Sequence, residues 1–164
     1  MIIETKNLKI SIVEDNDILN ILQVYNSNTE FLEAHMGKQN VDVMWLEEEI
    51  KSMKESDFYS CKIVHKKTKK IIGILDFTLK EECYLSLLML HSESKNKGYG
   101  KEIYSRFEGY AKDNACKTIR IDVVTNYNDN VLNFWKMNNF KIIDNIELNW
   151  TGKILPAAVM KKYL

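Results

Sequence analysis

Lys95-Asn96-Lys97-Gly98-Tyr99-Gly100 is the stretch that decides the fold. It lies between an apolar run, Cys83 to Leu90, and a helical pattern that begins near Tyr99. Two glycines at the mouth of a helix let the backbone come close to a ligand. The unpaired N–H groups there, with the positive end of the helix dipole, make a site for phosphate. A strand feeding such a loop implies a phosphorylated cofactor lying across the strand's end. Two other phosphate loops are excluded by what surrounds the glycines. A dinucleotide fingerprint needs G-x-G-x-x-G, and the residue three after Gly100 is Ile103. A P-loop needs a Ser or Thr after its Gly-Lys pair, but Gly100-Lys101 is followed by Glu102, and Lys95 stands where the first glycine belongs.

The run resembles the acetyl-CoA signature of the GNAT N-acetyltransferases, Gln/Arg-x-x-Gly-x-Gly/Ala, with Lys95 at the position where Gln or Arg is usual. A second stretch resembles the same family in register. Ile119-Arg120-Ile121-Asp122-Val123-Val124 is followed by Asn128 and then by Phe134-Trp135-Lys136-Met137-Asn138-Asn139-Phe140. The family's ending there is N-x-x-A-x-x-F-Y-x-k-x-G-F. Asn128, Phe134 and Phe140 match as they stand, while Val131 replaces Ala, Trp135 replaces Tyr and Asn139 replaces Gly. Asn tolerates the left-handed backbone that a helix C-terminus needs, so the last replacement is physically mild. The resemblance covers roughly residues 70 to 145, and the N-terminal third follows in outline only.

Composition bounds the alternatives. A chain of 164 residues suits a single domain spanning residues 1–164, one that buries about two-thirds of its unfolded surface. With 45% hydrophobic residues, one proline and six glycines, it is neither disordered nor repetitive. Its 23 basic and 23 acidic side chains cancel, which argues against a nucleic-acid partner. No apolar run reaches bilayer-spanning length and Met1 to Lys9 lacks a signal-peptide core, so no membrane partner and a cytoplasmic location are expected. Cys61, Cys83 and Cys116 show no C-x-x-C spacing, and His35, His65 and His91 are scattered, so no metal site is expected.

Hydrophobic period sets the order of elements. Leu8 to Ile12 alternates as a first strand, and Asp15 or Asn16 can cap a helix running to about Tyr25. Asn26 to Asn40 reads as a polar loop, and Val41 to Met53 as an amphipathic helix whose Glu47-Glu48-Glu49 face is solvated. Strands follow at Phe58–Val64, Ile71–Leu79 and Cys83–Leu90, with turns at Lys66–Lys70 and Lys80–Glu82 too short for anything but antiparallel neighbours. Then come a helix Tyr99–Asn114, a strand Lys117–Val124, a helix Asn128–Met137, and strands near Phe140–Ile146 and Ala157–Tyr163. Strands in a run before one helix, then alternation, imply a mixed α/β (α+β) domain with a central, partly antiparallel sheet flanked by helices. That is the order of elements in the GNAT acyl-CoA N-acyltransferase fold.

The resemblance implies a cofactor, acetyl-CoA, lying in a V between the strand before the glycine loop and the next strand. By register, backbone groups of Leu88 and Leu90 would hold the pantetheine and thioester. Lys95, Asn96, Lys97, Gly98, Tyr99, Gly100 and Lys101 would cradle the pyrophosphate. Asn128 is either a hydrogen-bond partner of the pantetheine or the cap of the helix that follows. Trp135, at the position of the family's acidic Tyr, is a poor proton source and is expected to pack against the cofactor arm.

The chemistry constrains the rest. An amine with a reference pKa near 10 must lose a proton before it attacks a thioester, and the departing thiolate takes up a proton or leaves without one. Tyr127 and water are the candidate acids. For the base, Tyr84 stands where some family members carry a glutamate. Glu82 shares the Tyr84 face of that strand, two residues away. Asp76, a carboxylate inside the apolar run Ile71 to Phe77, is the third candidate, since burial would raise its pKa toward a useful value. A water chain to bulk solvent would serve with no dedicated base. The acceptor is an amine, either a small molecule or a peptide. Glu30, Glu33 and His35 are residues suited to recognising it. The rival reading is a binding or regulatory domain that keeps the CoA cleft without transfer activity. A homodimer is a further expectation, with Ala157-Ala158-Val159-Met160 serving as either core or interface.

Overall fold

The computed structural model describes residues 2–150 and 152–164. The strands are β1 (Ile2–Glu4), β2 (Leu8–Ile12), β3 (Tyr59–His65), β4 (Ile71–Phe77), β5 (Glu82–Leu90), β6 (Thr118–Val124), β7 (Lys141–Trp150) and β8 (Lys153–Tyr163). The helices are α1 (Ile18–Asn26), α2 (Thr29–Met36), α3 (Val43–Glu55), α4 (Tyr99–Asp113) and α5 (Asp129–Met137). All eight strands join one sheet in the order β1-β2-β3-β4-β5-β6-β8-β7. Every neighbouring pair is antiparallel except β5 and β6.

Alternation along the strands gives the sheet two apolar faces, each covered by helices. On one face Ile10, Ile63, Leu75, Phe77, Leu85 and Ile121 pack with Ile103, Tyr104 and Phe107 of α4 and with Trp135 of α5. On the other, Ile74 and Met89 pack with Ile21, Val24 and Tyr25 of α1, Leu32 of α2 and Leu46 of α3. Cys61, Cys83 and Cys116 are buried free thiols. No helix among the described residues is long and apolar enough to cross a membrane.

The mixed, mostly antiparallel sheet and the central elements follow the sequence reading, and four details differ. Strand β1 pairs with β2 from Ile2↔Ser11 to Glu4↔Lys9, extending the sheet by one short edge strand that was not expected. The expected Asp15 or Asn16 cap is replaced by a 3-10 turn, Asp15–Asp17, in which Glu14 and Asp17 each bond the other's backbone. The expected loop Asn26–Asn40 contains α2, which ends at Gly37 in the left-handed conformation, φ 68°. It is only two turns long, and its apolar residues Phe31, Leu32 and Met36 are set among polar ones, which hides the helical period.

The last difference is the length of β7 and β8, which form a long hairpin pairing as far as Trp150↔Lys153. Pro156 interrupts the apolar pattern of β8, yet it costs the ladder little. The pairing of β8 with β6 stops at Val124↔Ala157, and the Pro156 carbonyl still accepts the Thr125 N–H at 2.9 Å. Ala157, Ala158, Val159 and Met160 are all at most 4% exposed between β6 and β7, so this segment is core within the chain.

Two features fix β5 and the helix that follows. A bulge sets Asp76↔Leu87 and Phe77↔Leu85, leaving Ser86 as the extra residue, so side-chain alternation on β5 changes phase there. Thereafter Leu88 and Leu90 join the α4 face and Leu87 and Met89 the α1 face. The first turn of α4 is anchored by Glu102, whose carboxylate accepts both the backbone and side-chain N–H of Asn7 at 2.9 Å and the Thr5 hydroxyl.

Gly73 of β4 lies opposite Leu90, and a Cβ there would meet the Met89 carbonyl oxygen at 2.6 Å and Leu90 Cδ2 at 2.9 Å. Gly73→Ala is therefore expected to lower stability by about 2–3 kcal/mol through overpacking. Gly109→Ala, which meets only the mobile end of Arg106 at 3.5 Å on α4, should be neutral or raise it by up to ~1 kcal/mol. Denaturant unfolding of both variants checks the contrast, and equal effects would contradict it.

Candidate active site

Strands β5 and β6 are hydrogen-bonded for only three residue pairs, Glu82↔Thr118, Cys83↔Ile119 and Tyr84↔Arg120. Beyond Tyr84 they diverge. The opening between them is a cavity of about 440 Å³, whose walls include Leu85 to Leu90 of β5 and Ile121 to Val124 of β6. His91 donates its amide to Ile72 at 2.8 Å, on the β4 side. Amides alternate sides along a strand, so the backbone groups of Leu90 and Leu88 face the opening. The Leu90 carbonyl there accepts the Asn28 side-chain amide at 2.9 Å. Asn28 is only 4% exposed and also donates to the Val24 carbonyl at 2.8 Å, so it ties α1 to the rim of the opening.

The glycine loop closes one end of the opening. Asn96 (φ 58°) and Gly98 (φ 83°) are both left-handed, and they turn the chain from Lys95 into α4. The first helical bond of α4 runs from Glu102 N–H to the Gly98 carbonyl at 3.1 Å. The amides of Tyr99, Gly100 and Lys101 therefore point out of the helix end. No atom lies within 4 Å of where a Gly98 Cβ would be, and a Gly100 Cβ would only touch the Phe134 ring at 3.5 Å. Lys95 lines the cavity, and burial lowers its pKa against the opposing pull of Glu30. Lys97 and Lys101 are exposed beside it.

Titratable groups line the rest of the wall. Asp76, on β4 opposite Leu87, is 2% exposed and lines the cavity. Burial raises its pKa to about 7, against the lowering effect of the facing Ser60 hydroxyl, and Glu49 on α3 adds to the rise. Its Oδ1 makes no hydrogen bond. Glu49 is half-buried on the cavity wall with its pKa raised by burial, and so was wrongly grouped with the solvated Glu47 and Glu48. Tyr25 feels both carboxylates, and its phenol is held protonated mainly by burial. Tyr84 donates its hydroxyl to Asp122 Oδ2 at 3.2 Å. Asp122 also accepts from Arg120 Nε at 3.0 Å and Nη2 at 3.1 Å. Burial, then the Asp122 charge, raises the Tyr84 pKa. Tyr127 lines the cavity with its pKa raised by burial and by Glu30.

Three of the four candidate catalytic residues thus share one cavity. Glu82 does not reach it: its carboxylate pairs with Lys161 on β8. Asn128 caps α5, its side-chain oxygen accepting the Asn130 N–H at 2.9 Å, and it too stands outside the cavity wall. Trp135 reaches the wall but is 7% exposed, wedged edge-on against Tyr104, Phe134 and Phe140 at centroid distances of 5.4, 4.9 and 5.3 Å. Of Glu30, Glu33 and His35, only His35 lines the cavity. Its ring stacks on Phe31 at 3.9 Å, and its Nδ1–H donates to the Phe31 carbonyl at 2.8 Å. Burial lowers its pKa, so the ring is neutral at pH 7.

The sequence reading missed Tyr25, Asn28, Phe31, Glu49 and Trp150 as wall residues. The wall-facing run Tyr25, Asn28, Phe31 and His35, at spacings of three and four, was the available signal for α1 and α2. Trp150 stands edge-on to His35 and Phe31, bringing the β7–β8 hairpin over the opening.

Known proteins share this architecture. The acetyltransferase (GNAT) family model matches residues 21–140. No protein of curated function matches the sequence. Among solved structures, an acetyltransferase (GNAT family) from Bacillus anthracis superposes with a TM-score of 0.81 at 11% identity, over 99% of this chain and 98% of that one. The acetyl transferase from Salmonella typhimurium that modifies the N-terminal serine of 50S ribosomal subunit protein L7/L12 superposes at 0.82, with 12% identity over 100% of this chain and 99% of that one. Spermidine N-acetyltransferase from Vibrio cholerae, in complex with CoA and spermine, superposes at 0.75, with 14% identity over 96% of this chain and 95% of that one. At these identities the likeness is one of fold. The family match, the splayed strands and the glycine loop agree, and the chain belongs to the acetyltransferase (GNAT) family, whose cosubstrate is acetyl-CoA.

Proposed function

We propose that this protein transfers the acetyl group of acetyl-CoA directly to a primary amine, with Asp76 as the general base. The observation that carries this reading is the Asp76 carboxylate, buried, unpartnered at Oδ1 and set in the wall of the cleft. The cleft suits the cosubstrate. Backbone groups of Leu88 and Leu90 would hold the pantetheine, and the outward amides of Tyr99, Gly100 and Lys101, with Lys95, would hold the pyrophosphate. Acetyl-CoA supplies an activated acyl group.

Asp76 takes the proton that the acceptor ammonium must lose before its nitrogen can attack. A carboxyl group near pKa 7 is ionised enough at neutral pH to accept that proton, and is a far stronger base than an exposed aspartate. Tyr84 is a poor base because its proton is committed to Asp122, and it serves to hold that side of the cleft. Tyr127 stays protonated and offers a hydrogen-bond donor inside the cavity. Cys61, Cys83 and Cys116 all lie outside the cavity wall, which supports direct attack over an acetyl-cysteine route. Amine acceptors of both kinds occur among the structural neighbours, a ribosomal protein's N-terminal serine and spermidine.

The test is turnover with a panel of primary amines, read as release of CoA thiol. The expected kcat/KM rises with pH along a limb centred near 7, the Asp76 value. Asp76→Asn should lower kcat by ~10² to 10³ and abolish that limb. An unchanged limb in Asp76→Asn would remove Asp76 as base, and acetyl-CoA binding with no turnover on any amine would favour the inactive-binder reading that Trp135 suggests.

Stability gives a separate readout. A carboxyl whose folded pKa is raised favours folding while protonated and loses that contribution as pH rises through about 7. Asp76→Asn should therefore gain in melting temperature over wild type above pH 7, with the gain vanishing in the ordinary carboxylate range. Parallel melting curves at all pH values would contradict the raised pKa.

A further inference from the structure

Charge is distributed unevenly along the cavity. The end nearest the glycine loop carries Lys95, the one cation among its described lining residues. Asp76, on β4 opposite Leu87, and Glu49 of α3 also line the cavity, while His35, held against Phe31, Tyr127 and Trp150, is neutral at pH 7. The third lining carboxylate, Asp122, is saturated by Arg120 and Tyr84. Glu49 has no hydrogen bond or ion pair among the described residues, and Asp76 Oδ1 is buried without a donor. The lining residues around these two carboxylates include Met53, Leu87 and Met89. Two carboxylates without a cationic partner, near enough for the Glu49 charge to act on Asp76 and set beside apolar wall, suit a short aliphatic chain carrying two ammonium groups.

We infer that the acceptor is an aliphatic diamine or polyamine, with one nitrogen acetylated beside Asp76 and a second ammonium held by Glu49. This rests on the transferase reading above. In the transfer the acceptor nitrogen bonds the acetyl carbon as the C–S bond breaks. One proton of the acceptor ammonium passes to Asp76 before attack, the electron pair of the C–S bond leaves with the thiolate, and the second nitrogen proton goes to that thiolate to give CoA thiol. A free amino acid fits poorly, because its carboxylate would face Glu49 and Asp76 with no cation nearby. A peptide N-terminus brings one charge and a string of amides that Met53, Leu87 and Met89 leave without partners.

The test is calorimetric titration of the protein saturated with CoA, using 1,4-diaminobutane, spermidine, butylamine, alanine and a short peptide with a free N-terminal serine. The diamine is expected to bind about 10-fold more tightly than butylamine. Glu49→Gln should collapse that ratio toward one, and Glu49→Asp, which keeps the charge, should restore part of it. Equal binding of diamine and monoamine by wild type would overturn the inference whether or not the variants fold. So would a ratio that survives in Glu49→Gln, or a peptide that outcompetes both 1,4-diaminobutane and spermidine. CoA-thiol release with the same compounds separates the two claims. Diamine binding without release would overturn the transfer reading and not the charge matching. Release driven by the peptide without any diamine preference would overturn the diamine assignment and leave transfer standing.

Discussion

Three parallel residue pairs hold β5 to β6, and the site depends on their being only three. Continued pairing would satisfy the backbone of Leu88 and Leu90 within the sheet and leave no opening. The divergence has visible causes on both strands. The bulge at Ser86 bends β5 and resets its alternation just past the last pair. Across the gap, Arg120, Asp122 and Tyr84 form a bonded cluster at the base of the V, where the two strands part. On its other edge β6 pairs with β8 along its whole length, from Thr118↔Tyr163 to Val124↔Ala157, and so stays with β8 where it parts from β5. Backbone groups that a sheet would ordinarily pair, apart from the Leu90 carbonyl that Asn28 takes, are thus left facing a ligand-sized space.

The rest of the molecule keeps that opening in place. Glu102 ties the first turn of α4 to the β1–β2 turn, which fixes the direction of the outward-facing amides. Asn28, between α1 and α2, grips the Leu90 carbonyl. Opposite them, Trp150 leans over the rim with Phe31 and His35. Into this frame the chain places carboxylates whose charge burial disfavours, at Asp76 and Glu49. A fold selected for stability alone would gain by replacing them with apolar residues, since unpaired buried charge is costly. Their presence in a cavity wall is why we read them as functional.

Much of the architecture was legible from period and punctuation. The strands from Phe58 onward carry β-branched and aromatic residues between short polar turns, and the glycines mark where α4 begins. The placement of Asp76 inside the cleft also follows from a lone carboxylate in an apolar run. What escaped depends on tertiary contact. Glu49 reads as one of three acidic residues on a solvated helix face, and only the packing of α3 over the sheet turns it inward. Asn28 looks like a loop residue until α1 and α2 bring it to Leu90. Glu82 lies on the Tyr84 face as period two requires, but the opening begins above Tyr84, and Lys161 on β8 claims its carboxylate. No local pattern announces the Ser86 bulge, because a one-residue change of phase within an apolar strand leaves composition unchanged.

The most direct test of the central claim, that the splayed strands and the glycine loop form an acetyl-CoA site, is a calorimetric titration of acetyl-CoA into wild type and Gly98→Asp/Gly100→Asp. Asp is strained in the left-handed backbone at position 98 but adopts it more readily than most residues. A Cβ meets nothing within 4 Å there and only the Phe134 ring at 3.5 Å at position 100, so the variant should keep its cooperative melting at a somewhat lower temperature. The account predicts micromolar binding by wild type, on the order of 8 kcal/mol, and its loss in the folded variant. A folded wild-type protein that shows no binding, or a variant that binds as tightly, would contradict it.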